Sequence, residues 1–112
     1  MTDKRIILTT TGSKEEGRKI ANALVERKLA ACVNIVPNIE SIYRWEGKVE
    51  RAEEWLLIIK TNASAFDRVR DAIRELHSYD LPECVSISID EGSEEYLRWI
   101  GDEVQPSDAK IT

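Results

Sequence analysis

Leu29-Ala-Ala-Cys-Val-Asn-Ile-Val-Pro-Asn-Ile-Glu-Ser-Ile-Tyr-Arg-Trp45, then Glu46-Gly47, then Lys48-Val-Glu-Arg-Ala-Glu-Glu-Trp-Leu-Leu-Ile-Ile-Lys-Thr61 reads as two long strands joined by one short turn. Odd positions of its first half, Ala31, Val33, Ile35, Ile39, Tyr43 and Trp45, are mostly apolar, and even positions Asn34, Asn38, Glu40 and Arg44 are mostly polar. That period of two belongs to a strand with one buried face. Glu46-Gly47 reads as the tight turn of a hairpin, with glycine available for a positive φ. A strand of about 15 residues spans roughly 50 Å. A compact domain of this size has a radius of gyration near 13 Å, so a straight hairpin of that length overhangs its own domain. Pro37-Asn38 is expected to break the first strand, because proline cannot donate to a ladder. Ile42, Tyr43, Trp45 and Val49 fall near the tip, where exposure would leave an apolar edge. A second copy of the chain is therefore expected to cover them.

Working outward, Arg5 to Thr11 reads as a short buried strand ended by Gly12. Ser13-Lys14-Glu15-Glu16 has the capping-box pattern. Ile20, Ala21, Leu24 and Val25 then recur at helical spacing to about Lys28, where the pair Arg27-Lys28 suits the negative end of the helix dipole. Trp55 to Ile59 is a continuous apolar run, expected to be a central strand covered on both faces. Ser64-Ala-Phe-Asp67 opens a second helix with stripe Phe66, Val69, Ile73 and Leu76, and Pro82 is expected to stop it. Cys84 to Asp90 alternates as a last strand. A short helix after Gly92-Ser93 carries Tyr96, Leu97, Trp99 and Ile100 and is expected to end at Gly101. Residues 102–112 read as a flexible tail. The order strand-helix-strand-strand-helix-strand predicts an α+β, ferredoxin-like βαββαβ fold in one domain, residues 1–112. Its antiparallel sheet carries two helices on one face, and its bare face also calls for assembly.

The 112 residues carry a net charge of −5, with 33% charged and 42% hydrophobic residues. The acidic balance argues against non-specific nucleic-acid binding. The basic pairs are dispersed rather than blocked. No apolar run approaches the ~20 residues a membrane helix needs. There is no basic leader with an apolar stretch, so a mature cytoplasmic protein is expected. Cys32 and Cys84 form no disulfide framework and no CxxC-type zinc spacing.

Four blocks resemble the CutA divalent-cation tolerance family: Leu29–Asn34, Ser41–Lys48, Glu54–Thr61 and Glu75–Glu83. The likeness covers about residues 5 to 100. It implies a fold similar to PII signalling proteins and a PII-like homotrimer joined through sheets and long hairpins. It also implies a role in tolerance to copper and other divalent cations, with Cu(II) or a similar ion weakly bound. A copper site in bacterial members draws on a cysteine ending the first strand and two adjacent histidines ending the second helix. The matching positions here are Thr9 and Leu76-His77, and the common His-Pro-Tyr triplet reads His77-Ser78-Tyr79.

The residues admit two readings at each candidate position. His77, the only histidine, is a copper or zinc ligand beside Tyr79, Asp80 and Glu83, or a helix-capping side chain. Cys32 is a soft-metal ligand or a small packed hydrophobe, and Cys84 favours packing. The metal candidates are thus His77, Cys32, Glu83 and Tyr79. Trp45, Trp55, Tyr43 and Tyr79 line a ligand cleft or form core and interface. Lys60 and Arg44 hold an anion or face solvent. There is no nucleophile elbow and no phosphate loop, so no enzyme is expected. The alternative function is a PII-like regulatory module binding a small anionic metabolite or a partner protein in the subunit clefts. A hydrolase active on a small phosphoryl or acyl substrate is a third reading, which shared fold alone cannot establish.

Overall fold

In the computed structural model, which describes residues 2–106, strands β1 (Lys4–Thr11), β2 (Cys32–Trp45), β3 (Lys48–Asn62) and β4 (Val85–Ser88) form one antiparallel sheet. Their order is β2-β3-β1-β4. Helices α1 (Lys14–Glu26) and α2 (Phe66–Leu76) complete the βαββαβ order, and α3 (Glu94–Glu103) follows. The fold is the expected ferredoxin-like α+β arrangement.

Strand parity sets the core. Ile7, Thr9 and Thr11 of β1 and Leu57, Ile59 and Thr61 of β3 are fully enclosed. They meet Ile20 and Leu24 of α1 and Val69 and Ile73 of α2. Each such aliphatic side chain contributes roughly 1.5–3 kcal/mol through burial. The opposite parity, Ile6, Leu8, Leu56, Ile58, Val85 and Ile87, belongs to the sheet's other face, which the described residues leave partly open. The run Trp55–Ile59 is therefore central in the sheet, with Leu57 and Ile59 enclosed under α1 and α2, while Leu56 and Ile58 are only half-buried on the other face, where α3 reaches Lys60 at the strand's end.

The Pro37-Asn38 break is a β-bulge rather than an end. Val36 pairs with Leu56 and Ile39 with Glu54, so two β2 residues oppose Trp55 alone. Asn38 takes φ 59°, the left-handed conformation asparagine tolerates. Directly paired residues share a face, so the extra residue inverts the side-chain parity. Val33 and Ile35 pack toward the helices, whereas Ile39, Ser41, Tyr43 and Trp45 share the open face with Glu54. The single apolar face expected across all odd positions is thus two half-faces on opposite sides.

Beyond the bulge, Ile39–Trp45 pairs only with Lys48–Glu54, because β1 reaches no further than Trp55. This two-stranded ribbon lengthens the body to 44 × 32 × 23 Å, with a radius of gyration of 14.7 Å against the ~13 Å of a compact chain. At the turn Glu46 and Gly47 have φ 51° and 82°, both positive as a two-residue type I′ turn requires.

Several ends differ from expectation. α1 stops at Glu26, and Lys28 turns left-handed at φ 60°. Ser64 supplies no cap; a 3₁₀ turn, Ala63–Ala65, precedes α2 instead, anchored by Ala63 N–H donating to Asp3 O at 2.7 Å. α2 ends at Leu76, well before Pro82, because His77 leaves the helical region (ψ 144°). β4 is shorter than Cys84–Asp90. α3 runs past Gly101 to Glu103, and Val104 is buried. Gln105 donates to Lys28 O at 2.8 Å and accepts from Arg68 at 3.0 Å. The first residues of the expected flexible tail are therefore anchored; residues 107–112 lie outside the described residues.

Candidate functional site

A cleft of about 590 Å³ opens where the ribbon leaves the sheet. The ribbon supplies Ser41, Ile42, Tyr43 and Trp45; the sheet supplies Thr10 and Glu54; the loop after α2 supplies Tyr79, Asp80, Leu81 and Glu83. The bulge places Tyr43 and Trp45 on this side, since without its extra residue they would face away.

The loop carrying Tyr79 is held from three directions. Ser13 caps α1 by accepting from Glu16 N–H at 3.1 Å, which is half of the expected capping box. The Glu16 carboxylate does not return to Ser13. It accepts from Ser78 N–H at 2.8 Å and from Ser78 Oγ at 3.2 Å. His77 fills the space between: its Nε2–H donates to Thr10 O at 2.7 Å, and its Nδ1 accepts from Tyr79 N–H at 3.1 Å. A carbonyl only accepts and an amide N–H only donates, so these contacts hold the ring as the neutral Nε2–H tautomer. The imidazole is fully enclosed, with Nδ1 3.8 Å from Glu16 Oε1.

Tyr79 then reaches back over the sheet. Its ring lies against Gly12, where an added Cβ would stand 2.9 Å from the phenol oxygen, so glycine is needed there for the close approach. Its O–H donates to Glu54 Oε2 at 2.7 Å. Burial, and then the hydrogen bond to Glu54, push the phenol above its ordinary range. Tyr79 therefore remains a donor, and Glu54 keeps a neutral partner.

Glu54 is only 7% exposed. Among the described residues its one hydrogen bond is from Tyr79, and no cationic side chain pairs with it. Asp80 and Glu83 add two carboxylates, and no lysine or arginine lines the cleft. Glu54 is the cleft residue that the sequence reading passed over, whereas Asp80 was already in view beside His77. Glu54 had a signal: it stands in phase with Leu56 and Ile58, at the point where that strand face passes from charged to apolar.

The four metal candidates are not brought together in one chain. Tyr79 and Glu83 share the cleft, and His77 stands behind Tyr79 with both nitrogens engaged. Cys32 pairs with Lys60, six residues from Glu54 along β3, or roughly 20 Å. Its nearest polar partner is Asn34 Oδ1 at 3.7 Å. Thr9 is enclosed on the helix side, its hydroxyl without a partner. Among the described residues no group of three or more His, Cys, Asp or Glu side chains is placed to hold a metal ion. Burial raises the Cys84 thiol, which suits packing rather than ligation.

Of the other candidates, Trp55 faces the helix side, lining with Lys14 and Arg18 a second concavity of about 480 Å³. Lys60 lies over the Tyr96 ring and 3.4 Å from its hydroxyl, and Arg44 reaches Gly47 O. Among the described residues no helix is long and apolar enough to cross a membrane.

Fold and site together define a ferredoxin-like α+β protein whose overlong hairpin walls an acidic, aromatic cleft. Residues 5–103 match the family described as CutA1 divalent ion tolerance protein, and the chain belongs to that family. It is 48% identical over 97 residues to the divalent-cation tolerance protein CutA of Thermus thermophilus, covering 87% of this chain and 94% of that one. It is 47% identical over 95 residues to the chloroplastic protein CutA of Arabidopsis thaliana, where the match covers 85% of this chain but only 52% of the relative. The solved Thermus thermophilus structure superposes with a TM-score of 0.90 at 46% identity, covering 91% of this chain and 99% of that chain.

Proposed function

We propose that the chain serves divalent-cation tolerance as a non-enzymatic, cytoplasmic homotrimer that binds Cu(II) or a similar divalent ion weakly at its subunit clefts. Family membership supports the tolerance role. The observation that carries the cation is the cleft's charge: Glu54, Asp80 and Glu83 line it together with Tyr79, and no basic residue does. The donors in one chain do not amount to a closed chelate, which fits weak binding completed across a boundary. Tyr79 and Glu83 are the direct donors in this reading. His77 joins by giving up one of its hydrogen bonds, and Cys32 joins only where another subunit's open face adjoins. Assembly rests on the ribbon. An isolated two-stranded hairpin is marginal in water, and Ile42, Tyr43, Trp45 and Val49 are exposed on it. Two free cysteines suit a reducing compartment.

Native mass spectrometry with and without stoichiometric Cu(II) tests this reading. A trimer taking up one ion per subunit is expected, with His77→Ala abolishing uptake. A monomer overturns the assembly, no uptake overturns the copper reading, and uptake unchanged in His77→Ala overturns the assigned ligand.

The second reading, a regulatory module for a small anionic metabolite, is favoured by the Lys14, Arg18 and Trp55 concavity. It predicts thermal stabilisation by anionic metabolites rather than by metals.

A further inference from the structure

We propose that the cleft beside Tyr79 is a binding site for a small organic ammonium ion, anchored on Glu54. Three independent features of the cleft point to that ligand class. The first is Glu54 itself. Its Oε2 takes the Tyr79 hydroxyl, its Oε1 is left open to the cleft, and among the described residues no cationic side chain pairs with it, so the cleft presents a carboxylate oxygen ready for a positive partner. The second is the wall. Tyr43, Trp45 and Tyr79 offer aromatic faces and edges, and Ile42 and Leu81 add aliphatic surface. Such walls attract a cation through the ring quadrupole while burying its hydrocarbon part. The third is size. A concavity of about 590 Å³ is far larger than a bare metal ion and falls in the range of small-molecule sites.

A divalent metal fits this cleft less well within one chain. It demands several donors at short distance, and the carboxylates here are not clustered for that. An alkyl- or arylammonium needs only one anchoring carboxylate plus apolar contact. Asp80 and Glu83 then set the sign of the potential at the mouth and repel anions. Tyr79 acts as a positioning residue: its bond to Oε2 orients the carboxylate so that Oε1 is the acceptor left for the ammonium. Gly12 gives the ring its seat.

Both ligands would use the same cleft, but copper uptake is read through His77 and ammonium selectivity through Glu54, so the two readings can fail separately. Its rival is a basic side chain of a neighbouring subunit filling the same space once the ribbon is covered.

Isothermal titration calorimetry of the full-length assembled protein with 2-phenylethylammonium chloride separates these outcomes. The neutral isostere 2-phenylethanol and the anion phenylacetate serve as controls. The ammonium is expected to bind at least about tenfold more tightly than either, as charge-selective cation–π sites do. Glu54→Gln retains an acceptor for Tyr79 and is expected to remove that selectivity. Equal binding of the alcohol means an apolar groove only and overturns the proposal. Full selectivity in Glu54→Gln overturns the anchor. No ammonium binding to the wild-type assembly overturns the site, and a change of assembly mass in Glu54→Gln then assigns Glu54 to a subunit contact. The wild-type comparison of ammonium with alcohol stands even if the variant misfolds.

Discussion

The two halves of the β2–β3 hairpin share one ladder and differ in everything else. Below the bulge, Cys32–Val36 pairs with Leu56–Lys60 inside a four-stranded sheet, and Val33, Ile35, Leu57 and Ile59 pack toward α1 and α2. Above it, Ile39–Trp45 pairs with Lys48–Glu54 and nothing else in the described chain. There Ile42 and Val49 are 59% and 62% exposed. The sequences are equally strand-like. The lower half is held by burial, which is worth roughly 25 cal/mol per Å², and the upper half by backbone pairing, whose net contribution per bond is small. Among the described residues nothing covers the upper half. The site lies at the junction, where Glu54 is the last β3 residue before the sheet proper.

A charge placed in each half separates them directly. Val33→Asp places a charge against the helix face and should lose roughly 2–4 kcal/mol of stability. Trp45→Asp should leave the chain folded by circular dichroism while reducing its assembled mass in sedimentation. Strand parity alone would set Val33 on one face with Tyr43 and Trp45; the bulge separates them and leaves Val33 with the core. Equal unfolding by both substitutions would erase the distinction between the halves.

The junction gives the middle effect. Tyr79→Phe leaves Glu54 without its donor and should cost about 1–2 kcal/mol at neutral pH. The phenol is raised in the folded protein, by burial first and by Glu54 second. Its contribution is therefore fully present below the unfolded value, near pH 10, and is lost as pH rises beyond it. Denaturant titrations at pH 7 and above pH 10 should show the gap between wild type and Tyr79→Phe narrowing on the alkaline side. A gap that widens with pH would refute the Tyr79–Glu54 assignment.

The smallest effect belongs to the ribbon. Glu40 and Glu53 are directly opposite each other, a like-charge pair. Glu40→Lys should stabilise by about 0.2–1 kcal/mol, more at low salt than at high salt. A loss of stability would mean that something positive already sits between them.

Most of the fold was legible because its signals are local. The period of two in β1, β2 and β3, the 3.6-residue stripes of Ile20-Leu24 and Val69-Ile73, and the Glu46-Gly47 turn each declare themselves within a few residues. The element ends were less legible. α2 stops at His77, not at Pro82, because the imidazole finds Thr10 O across the sheet, a partner 67 positions away in sequence. The site was half legible. His77, Tyr79, Asp80 and Glu83 stand within one short block and are legible there, whereas Glu54 reads as one more charge in Glu53-Glu54, and Cys32 lies at the other end of the ladder opposite Lys60.

Element types, their order and the overlong hairpin follow from local sequence, because hydrophobic period and turn chemistry act between near neighbours. Which side of the sheet each half of that hairpin presents is settled by the folded ladder alone. One extra residue at Pro37-Asn38 inverts the parity, and the pairing partner across the ladder registers it. The same inversion sets Tyr43 and Trp45 beside Glu54 and Tyr79, four residues from three distant segments. Their common cleft is a fact of register and burial that no local pattern encodes.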